Sequence, residues 1–212
     1  ATPTLSNGAL RNGGQMTSCI ILKFDDTIDS IGTLDTYTLE LSKRGCGLGY
    51  DGTDLRSLGE MIKQLDNRAH GVLPVAKRCE SALQYADQDG KRKGNGAFYL
   101  DIFHDDLYAL LDAKKENTDE RVRLTDLSIG VILRDKFMEL SALDEGYYTF
   151  APHSVFRATG IKLSDIDMSV WYDRLVANPK VRKTFRSTEE TREMLANVAA
   201  ESGYPYVIMR ET

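Results

Sequence analysis

The sequence has little of what marks membrane, secreted or disulfide-bonded proteins. No run approaches the roughly 18 consecutive apolar residues of a membrane helix. The first residues, ATPTLSNGAL, lack the basic and then apolar parts of a secretion signal. We therefore expect a cytoplasmic protein. The three cysteines, Cys19, Cys46 and Cys79, have no CxxC spacing, which argues against both a disulfide scaffold and a zinc cluster.

An excess of basic charge is also lacking. The formal net charge is −5 and 28% of the residues are charged, which is typical of a soluble globular protein and excludes an obvious nucleic-acid-binding surface. A length of 212 residues fits one domain, which we place at residues 1–212. The missing initial methionine and the end just after an apolar run, YVIMRET, lead us to expect a piece of a longer polypeptide.

Several familiar catalytic patterns are absent. His70, His104 and His153 have no metal-ligand spacing, and no Ser-His-Asp arrangement can be argued. The glycines of SKRGCGLGYDG (42–52) lack the preceding strand and the spacing of a dinucleotide fingerprint. The basic loop QDGKRKGNG (88–96) is too short and differently spaced for a Walker A motif.

What is present is an alternation of strand-length apolar runs and amphipathic helical segments. SCIILKF (18–24) and LSIGVIL (127–133) are typical of strands buried on both faces. This alternation predicts an α/β fold with a largely parallel sheet. Further strands are predicted at 47–50, 97–103, 147–152 and 204–211, and helices at 25–45, 72–88 (with Cys79 in the core), 105–116, 135–143, 168–177 and 187–203.

Helix starts and glycine-rich loops are the places to search for sites, because α/β sheets bind ligands where strands end and helices begin. Three loops qualify: 1–19, 42–52 and 88–96. For each, a ligand-binding role and an ordinary polar turn stay open. The acidic pairs Asp25–Asp26 and Asp105–Asp106 stand at predicted helix starts, so we interpret them as caps.

Nine stretches in order along the chain resemble the large, catalytic (alpha) subunit of class I ribonucleotide reductase, most closely class Ib. They are TPTLSNG, GQMTSCIIL, DSI, SKRGCGLG, LRSLGEMIK, GVLPVAKRCESALQYADQ, GNGAFYL, LYALLDAKKEN and ESGYPYVIM. The resemblance implies half of a ten-stranded α/β barrel, with five mainly parallel strands and connecting helices. It also implies radical-based reduction of ribonucleoside diphosphates to deoxyribonucleoside diphosphates, with allosteric control of specificity.

The resemblance assigns roles to individual residues. Cys19 resembles the catalytic reductant thiol, one of a pair that delivers electrons to the ribose 2′ carbon and becomes a disulfide. Thr2, Ser18, Cys19 and Gly47 resemble contacts to the nucleoside diphosphate substrate. The site for deoxynucleoside triphosphate effectors resembles Asp26, Thr27, Ile28, Arg56 and Lys63, together with Arg92 in the loop that transmits effector identity.

The resemblance also implies what this segment does not contain. The family's finger loop, with its Asn-x-Cys-x-Glu motif and radical cysteine, and the disulfide partner of Cys19 would lie beyond Thr212, so the segment alone is expected to be inactive. No metal or cofactor is expected in it. A small subunit with a dimetal site would supply the radical, the large subunit would form a homodimer, and a thioredoxin- or glutaredoxin-like protein would act as reductant.

Two alternatives stay open at this point. Cys46 stands where relatives usually carry Gly or Ala, and an off-pathway disulfide with Cys19 is one reading of it. The chain as a whole is also compatible with a non-catalytic nucleotide-binding or assembly fragment of a split or decayed reductase subunit.

Overall fold

The computed structural model describes residue 17 and residues 19–86 and 94–210, which form seven strands and seven α-helices. Within these ranges no helix has both the length and the apolar character needed to cross a bilayer. The strands are β1 (Cys19–Leu22), β2 (Gly47–Asp51), β3 (Gly96–Asp101), β4 (Ser128–Arg134), β5 (Tyr147–Phe150), β6 (Lys183–Arg186) and β7 (Tyr206–Arg210). The helices are α1 (Ile28–Lys43), α2 (Leu73–Tyr85), α3 (Leu107–Asp112), α4 (Asp135–Ala142), α5 (Pro152–Thr159), α6 (Met168–Ala177) and α7 (Thr188–Ser202).

Five strands form one parallel sheet in the order β1-β2-β3-β4-β7, and β5 and β6 form a separate antiparallel pair. The predicted α/β half-barrel is thereby confirmed. The helices cover one face of the sheet. Alternate residues of each strand point to this face, because successive side chains of a strand point to opposite sides. The buried residues on this outer face include Leu48, Tyr50, Phe98, Leu100, Ile129 and Val131.

Two elements between β4 and β7 were not predicted from the sequence. Helix α5 begins at Pro152, a residue that the sequence analysis placed at the end of a strand. Proline suits the first turn of a helix because the missing N–H has no partner to lose there. Strand β6, KTFR, carries little apolar signal, and its one large apolar side chain, Phe185, is 61% exposed.

The acidic pairs do not cap the helices that follow them, contrary to the prediction. Helix α1 is capped by Thr27, whose Oγ1 accepts a hydrogen bond from Ser30 N at 3.2 Å. Helix α3 begins after Asp106, whose side chain makes no cap hydrogen bond. The predicted cap at the start of α7 is confirmed, because Ser187 Oγ accepts from Glu190 N at 3.3 Å.

The carboxylates of the second acidic pair hold distant segments instead. Asp106 Oδ2 accepts the backbone N–H groups of Leu58 and Val72 at 3.1 Å each. Asp105 Oδ1 accepts from Thr149 Oγ1 at 2.9 Å. A short-range sequence pattern points to capping, whereas these partners lie tens of residues away and become visible only in the folded chain.

Glu80 ties α2 to the segment that enters β4. This buried carboxylate accepts from Lys77 Nζ at 2.7 Å and from the backbone N–H groups of Asp126 and Leu127 at 2.8 and 3.1 Å. Burial alone would raise the pKa of Glu80, but these hydrogen bonds and the Lys77 charge outweigh it and lower the pKa. The folded chain is therefore stabilised by the ionised form.

Replacing Glu80 by Gln is expected to lower the free energy of unfolding by about 1–3 kcal/mol at pH 7, because a charge-assisted network is lost. Since the folded-state pKa of Glu80 lies below the unfolded value, its contribution is complete above about pH 4.5 and disappears as the pH falls further. The free energies of unfolding of the wild type and of Glu80→Gln, measured in urea at several pH values from 7 to 3, should become equal as the pH falls. Glu139→Gln, at an exposed carboxylate paired with Lys136, is the matched control. A difference in free energy of unfolding between the wild type and Glu80→Gln that stays constant with pH would contradict the lowered pKa of Glu80.

Candidate functional site

Cys19 begins β1 on the concave inner face of the sheet, and its thiol is exposed. The parallel register places Cys19 beside Gly47 and Ile21 beside Gly49. These residues line a cavity of about 610 Å³ on the inner face. Cys19 and Gly47, two of the residues that the resemblance assigns to substrate contact, therefore lie side by side. They lie at the amino ends of their strands, whereas the general rule for α/β sheets directed the search to the carboxyl ends.

Tyr99 is the large side chain at the centre of this inner face, and the sequence analysis did not single it out. Its ring lies against Gly130 on β4 and reaches ordinary contact distance of Gly49 on β2. A Cβ built on Gly130 would lie 2.2 Å from Tyr99 Cε1, and one on Gly49 would lie 3.9 Å from Cε2. Burial raises the pKa of Tyr99, with further upward contributions from Tyr206 and Cys19. The phenol therefore stays protonated at neutral pH and is available as a hydrogen-bond donor.

Cys46 and Cys79 lie on the other side of the sheet. Cys46 directly precedes Gly47, so its side chain points to the helix-covered face, where it is 1% exposed and donates from Sγ to Thr17 O at 3.5 Å. Burial raises the pKa of Cys46, and the neighbouring Cys19 raises it further. Cys79 is equally buried in α2, as predicted, and burial raises its pKa to about 12.

The opposite orientation of Cys19 and Cys46 argues against a disulfide between them. A disulfide needs Cβ atoms about 3.5–4.5 Å apart that point toward each other. Neighbouring strands at adjacent register positions direct the two side chains to opposite faces, so the bond would require β1 and β2 to separate or slip by one residue.

Alkylation of the native chain should reflect this arrangement. We expect iodoacetamide at pH 8 to label Cys19 first, with Cys46 and Cys79 protected until urea unfolds the chain, because thiolates react and burial keeps these two thiols protonated and covered. Mass spectrometry of tryptic peptides reads out each site. Simultaneous labelling of Cys46, or a Cys19–Cys46 peptide after mild oxidation, would contradict the geometry.

A second cavity, of about 300 Å³, brings together three of the residues that the resemblance assigns to the effector site: Asp26, Thr27 and Arg56. Arg56 Nε lies 3.2 Å from Asp26 Oδ2. Burial raises the pKa of Asp26, and the Arg56 guanidinium opposes this effect. His153 and Phe156 of α5 also line the cavity, and sequence reasoning missed them because it did not predict α5.

The remaining candidate residues are placed differently or not at all. Ile28 is 85% exposed at the start of α1. Lys63 is an exposed turn residue with φ 47°, beside the Ile62–Leu65 bridge. Neither side chain lines the 300 Å³ cavity. Thr2, Ser18 and Arg92 lie outside the described residues.

Within the parts of the chain that the structure describes, no group of three or more His, Cys, Asp or Glu side chains is arranged to hold a metal ion. The two cavities present an exposed thiol on a glycine-lined face and, separately, a paired cation and carboxylate.

Comparison with known proteins gives a consistent picture. Residues 17–212 match the family described as ribonucleotide reductase, barrel domain. Over 100% of this chain, it is 43% identical to the ribonucleoside-diphosphate reductase NrdEB subunit alpha of Bacillus subtilis, covering 20% of that protein. It is 40% identical to the ribonucleoside-diphosphate reductase subunit alpha of the same organism and 38% identical to that of Mycoplasma pneumoniae, covering 30% and 29% of them. The chain thus spans less than a third of the length of these relatives, and it belongs to the ribonucleotide reductase barrel-domain family.

Proposed function

We propose that residues 1–212 form the first half of the catalytic barrel domain of a class I ribonucleotide reductase alpha subunit, most like class Ib. The reaction is the reduction of ribonucleoside diphosphates to deoxyribonucleoside diphosphates. The enzyme would be an oxidoreductase acting on CH or CH2 groups with a disulfide as acceptor. The observation that carries the proposal is the exposed Cys19 thiol beside Gly47 on the concave face.

Cys19 would act as one thiol of the reducing pair. In the overall reaction two thiols become a disulfide, and the ribose 2′ hydroxyl leaves as water. Cys46 and Cys79 are buried on the helix-covered side, so the second thiol would come from another part of the barrel. Gly47 has no side chain and leaves its backbone open to the cavity, which favours close approach of substrate. Substrate contacts are assigned to Thr2, Ser18, Cys19 and Gly47.

We assign effector binding to the second cavity. The Asp26 carboxylate would accept a hydrogen bond from a ribose hydroxyl or a base edge, and the Arg56 guanidinium would bind phosphate. The pairing of these two groups in the free chain supports this role, because each is held in place for a polar ligand. The proposed effector residues are Asp26, Thr27, Ile28, Arg56, Lys63 and Arg92.

The proposed partners follow from the proposed reaction. A small subunit with a dimetal site would supply the radical that activates the ribose, and this chain would contribute reduction and substrate binding. A homodimer of alpha subunits, a thioredoxin- or glutaredoxin-like reductant and a cytoplasmic location complete the proposal.

The test replaces the matched segment of the Bacillus subtilis ribonucleoside-diphosphate reductase subunit alpha by this chain. The chimera is assayed with the small subunit and dithiothreitol for deoxynucleotide formation. Product above the level of the same chimera without small subunit is expected. A chimera that folds and binds deoxynucleoside triphosphates but forms no product would favour the rival function, a non-catalytic nucleotide-binding or assembly module.

A further inference from the structure

Arg134, the last residue of β4, is fully buried, and its guanidinium is directed at one short turn. Its Nε lies 2.5 Å from Asp101 Oδ2. Its Nη1 donates to Ile166 O at 3.1 Å, and its Nη2 donates to Leu163 O at 3.3 Å and Ser164 O at 3.5 Å. One side chain therefore ties three backbone carbonyls, in and beside the 3₁₀ turn Leu163–Asp165, to the carboxyl end of β4.

Ser164 carries this anchoring to the loop that follows β2. Its backbone N–H donates to Asp54 Oδ1 at 2.9 Å, and its Oγ donates to Asp54 Oδ2 at 2.7 Å. Both oxygens of the Asp54 carboxylate are thus bound by one residue. Asp54 lies two residues before Arg56, so the position of the loop that carries the Arg56 guanidinium depends on this contact.

The same turn forms a wall of the cavity assigned to the effector. Asp54, Lys162 and Leu163 line this cavity together with Asp26 and Arg56. A smaller, polar cavity of about 230 Å³ lies next to it and is also lined by Asp54, Lys162 and Ser164. The turn therefore separates two cavities, and a displacement of its backbone would change the shape of both.

We propose that Arg134 and Ser164 are positioning residues of the effector cavity. Arg134 fixes the turn, Ser164 fixes Asp54, and together they set the distance between the Lys162–Leu163 wall and Arg56 before any ligand binds. Such preorganisation raises affinity because the ordering cost is met in the free chain. The identity of the ligand, a deoxynucleoside triphosphate, rests on the proposed function, whereas the positioning is a property of the chain itself.

The test uses Ser164→Ala, which removes one of the two hydrogen bonds to Asp54 and leaves the Arg134 contacts to backbone carbonyls in place. Ser164→Thr restores the hydroxyl. Ser202→Ala is the matched control, because this partly buried hydroxyl, bound to Val198 O at 2.7 Å, lies near the amino end of β7, at the opposite end of the sheet. Two quantities are measured on the 212-residue chain: the affinities for dATP, dCTP, dGTP and dTTP with Mg²⁺ by calorimetry, and amide hydrogen exchange of residues 53–57.

Ser164→Ala is expected to weaken the binding of triphosphate about 3–10-fold, as for the loss of one buried hydrogen bond, and to speed exchange of residues 53–57. Ser164→Thr should recover both, and Ser202→Ala should change neither. Unchanged exchange in Ser164→Ala, or an equal effect of Ser202→Ala, would overturn the positioning role. If the wild-type chain binds none of the triphosphates while exchange still accelerates in Ser164→Ala, the effector assignment fails and the positioning of the loop stands.

Discussion

Cys19→Ser is expected to lower deoxynucleotide formation by the chimeric reductase at least about 10³-fold, which corresponds to about 4 kcal/mol of lost transition-state stabilisation. The physical reason is that a hydroxyl cannot form the disulfide that takes up the oxidation. Serine is nearly isosteric with cysteine and Cys19 is exposed, so the fold should be unaffected. The measurement is product formed per chimera under multiple turnover, with urea unfolding to compare stability.

Cys46→Ala is the matched control for this experiment. Cys46 lies one register position away from Cys19 but on the helix-covered face. Its replacement should leave the rate of product formation at the chimera's own level, at a modest cost in stability from the lost buried sulfur. Full activity in Cys19→Ser, or equal loss in both variants, would show that Cys19 is not a reductant thiol.

Arg134→Met is expected to destabilise the chain by about 3–5 kcal/mol, because it leaves the fully buried Asp101 carboxylate without its cationic partner. Burial raises the pKa of Asp101, and the Arg134 guanidinium opposes this effect. Without Arg134 the pKa of Asp101 rises further, so the folded variant retains a proton that the unfolded chain releases. Its free energy of unfolding should therefore decrease as the pH rises from 5 to 8.

A loss of this size is a large part of a typical domain's free energy of unfolding. A second variant is needed because Arg134→Met alone could leave the chain unfolded. Arg134→Met combined with Asp101→Asn removes the charge but keeps an acceptor for Phe103 N–H, which Asp101 Oδ1 now binds at 3.0 Å. This double variant should lose the pH dependence and recover the part of the stability that the unpaired Asp101 carboxylate costs, while the loss of the bonds to Leu163 O, Ser164 O and Ile166 O remains. Arg121→Met, at the exposed pair with Asp119, should leave urea unfolding unchanged. A single Arg134→Met variant as stable as the wild type would contradict the assigned role of the pair.

The parallel sheet was predictable because its strands carry continuous apolar runs, and the central strands are buried as these runs predict. Ile129 and Val131 are fully buried, for example, and LSIGVIL shows this in the sequence. The prediction that SCIILKF is buried on both faces is wrong for β1, where Ile21 is 75% exposed, and β7 is also largely exposed. The same rule could not find β6, whose Phe185 faces solvent, or α5, where Pro152 was read as the end of a strand. Local patterns also assigned Asp106 to a cap, since nothing near it in the sequence reveals its bonds to Leu58 and Val72.

The candidate site was predictable only in part. The family resemblance directed attention to Cys19, Gly47, Asp26 and Arg56, and the structure brings them together in two pairs. Tyr99, by contrast, lies within an ordinary apolar strand segment, and its importance depends on what its neighbours lack. A glycine signals such a close approach only once the strand register is known.

The Tyr99 ring shows what that close approach implies for the shape of the inner face. The ring lies against the backbone of β4, because a Cβ at position 130 would come within 2.2 Å of it, whereas its contact with position 49 is an ordinary one at 3.9 Å. Any side chain at position 130 would push the ring toward the cavity. The space available above β3 and β4 therefore depends on the absence of a single methyl group.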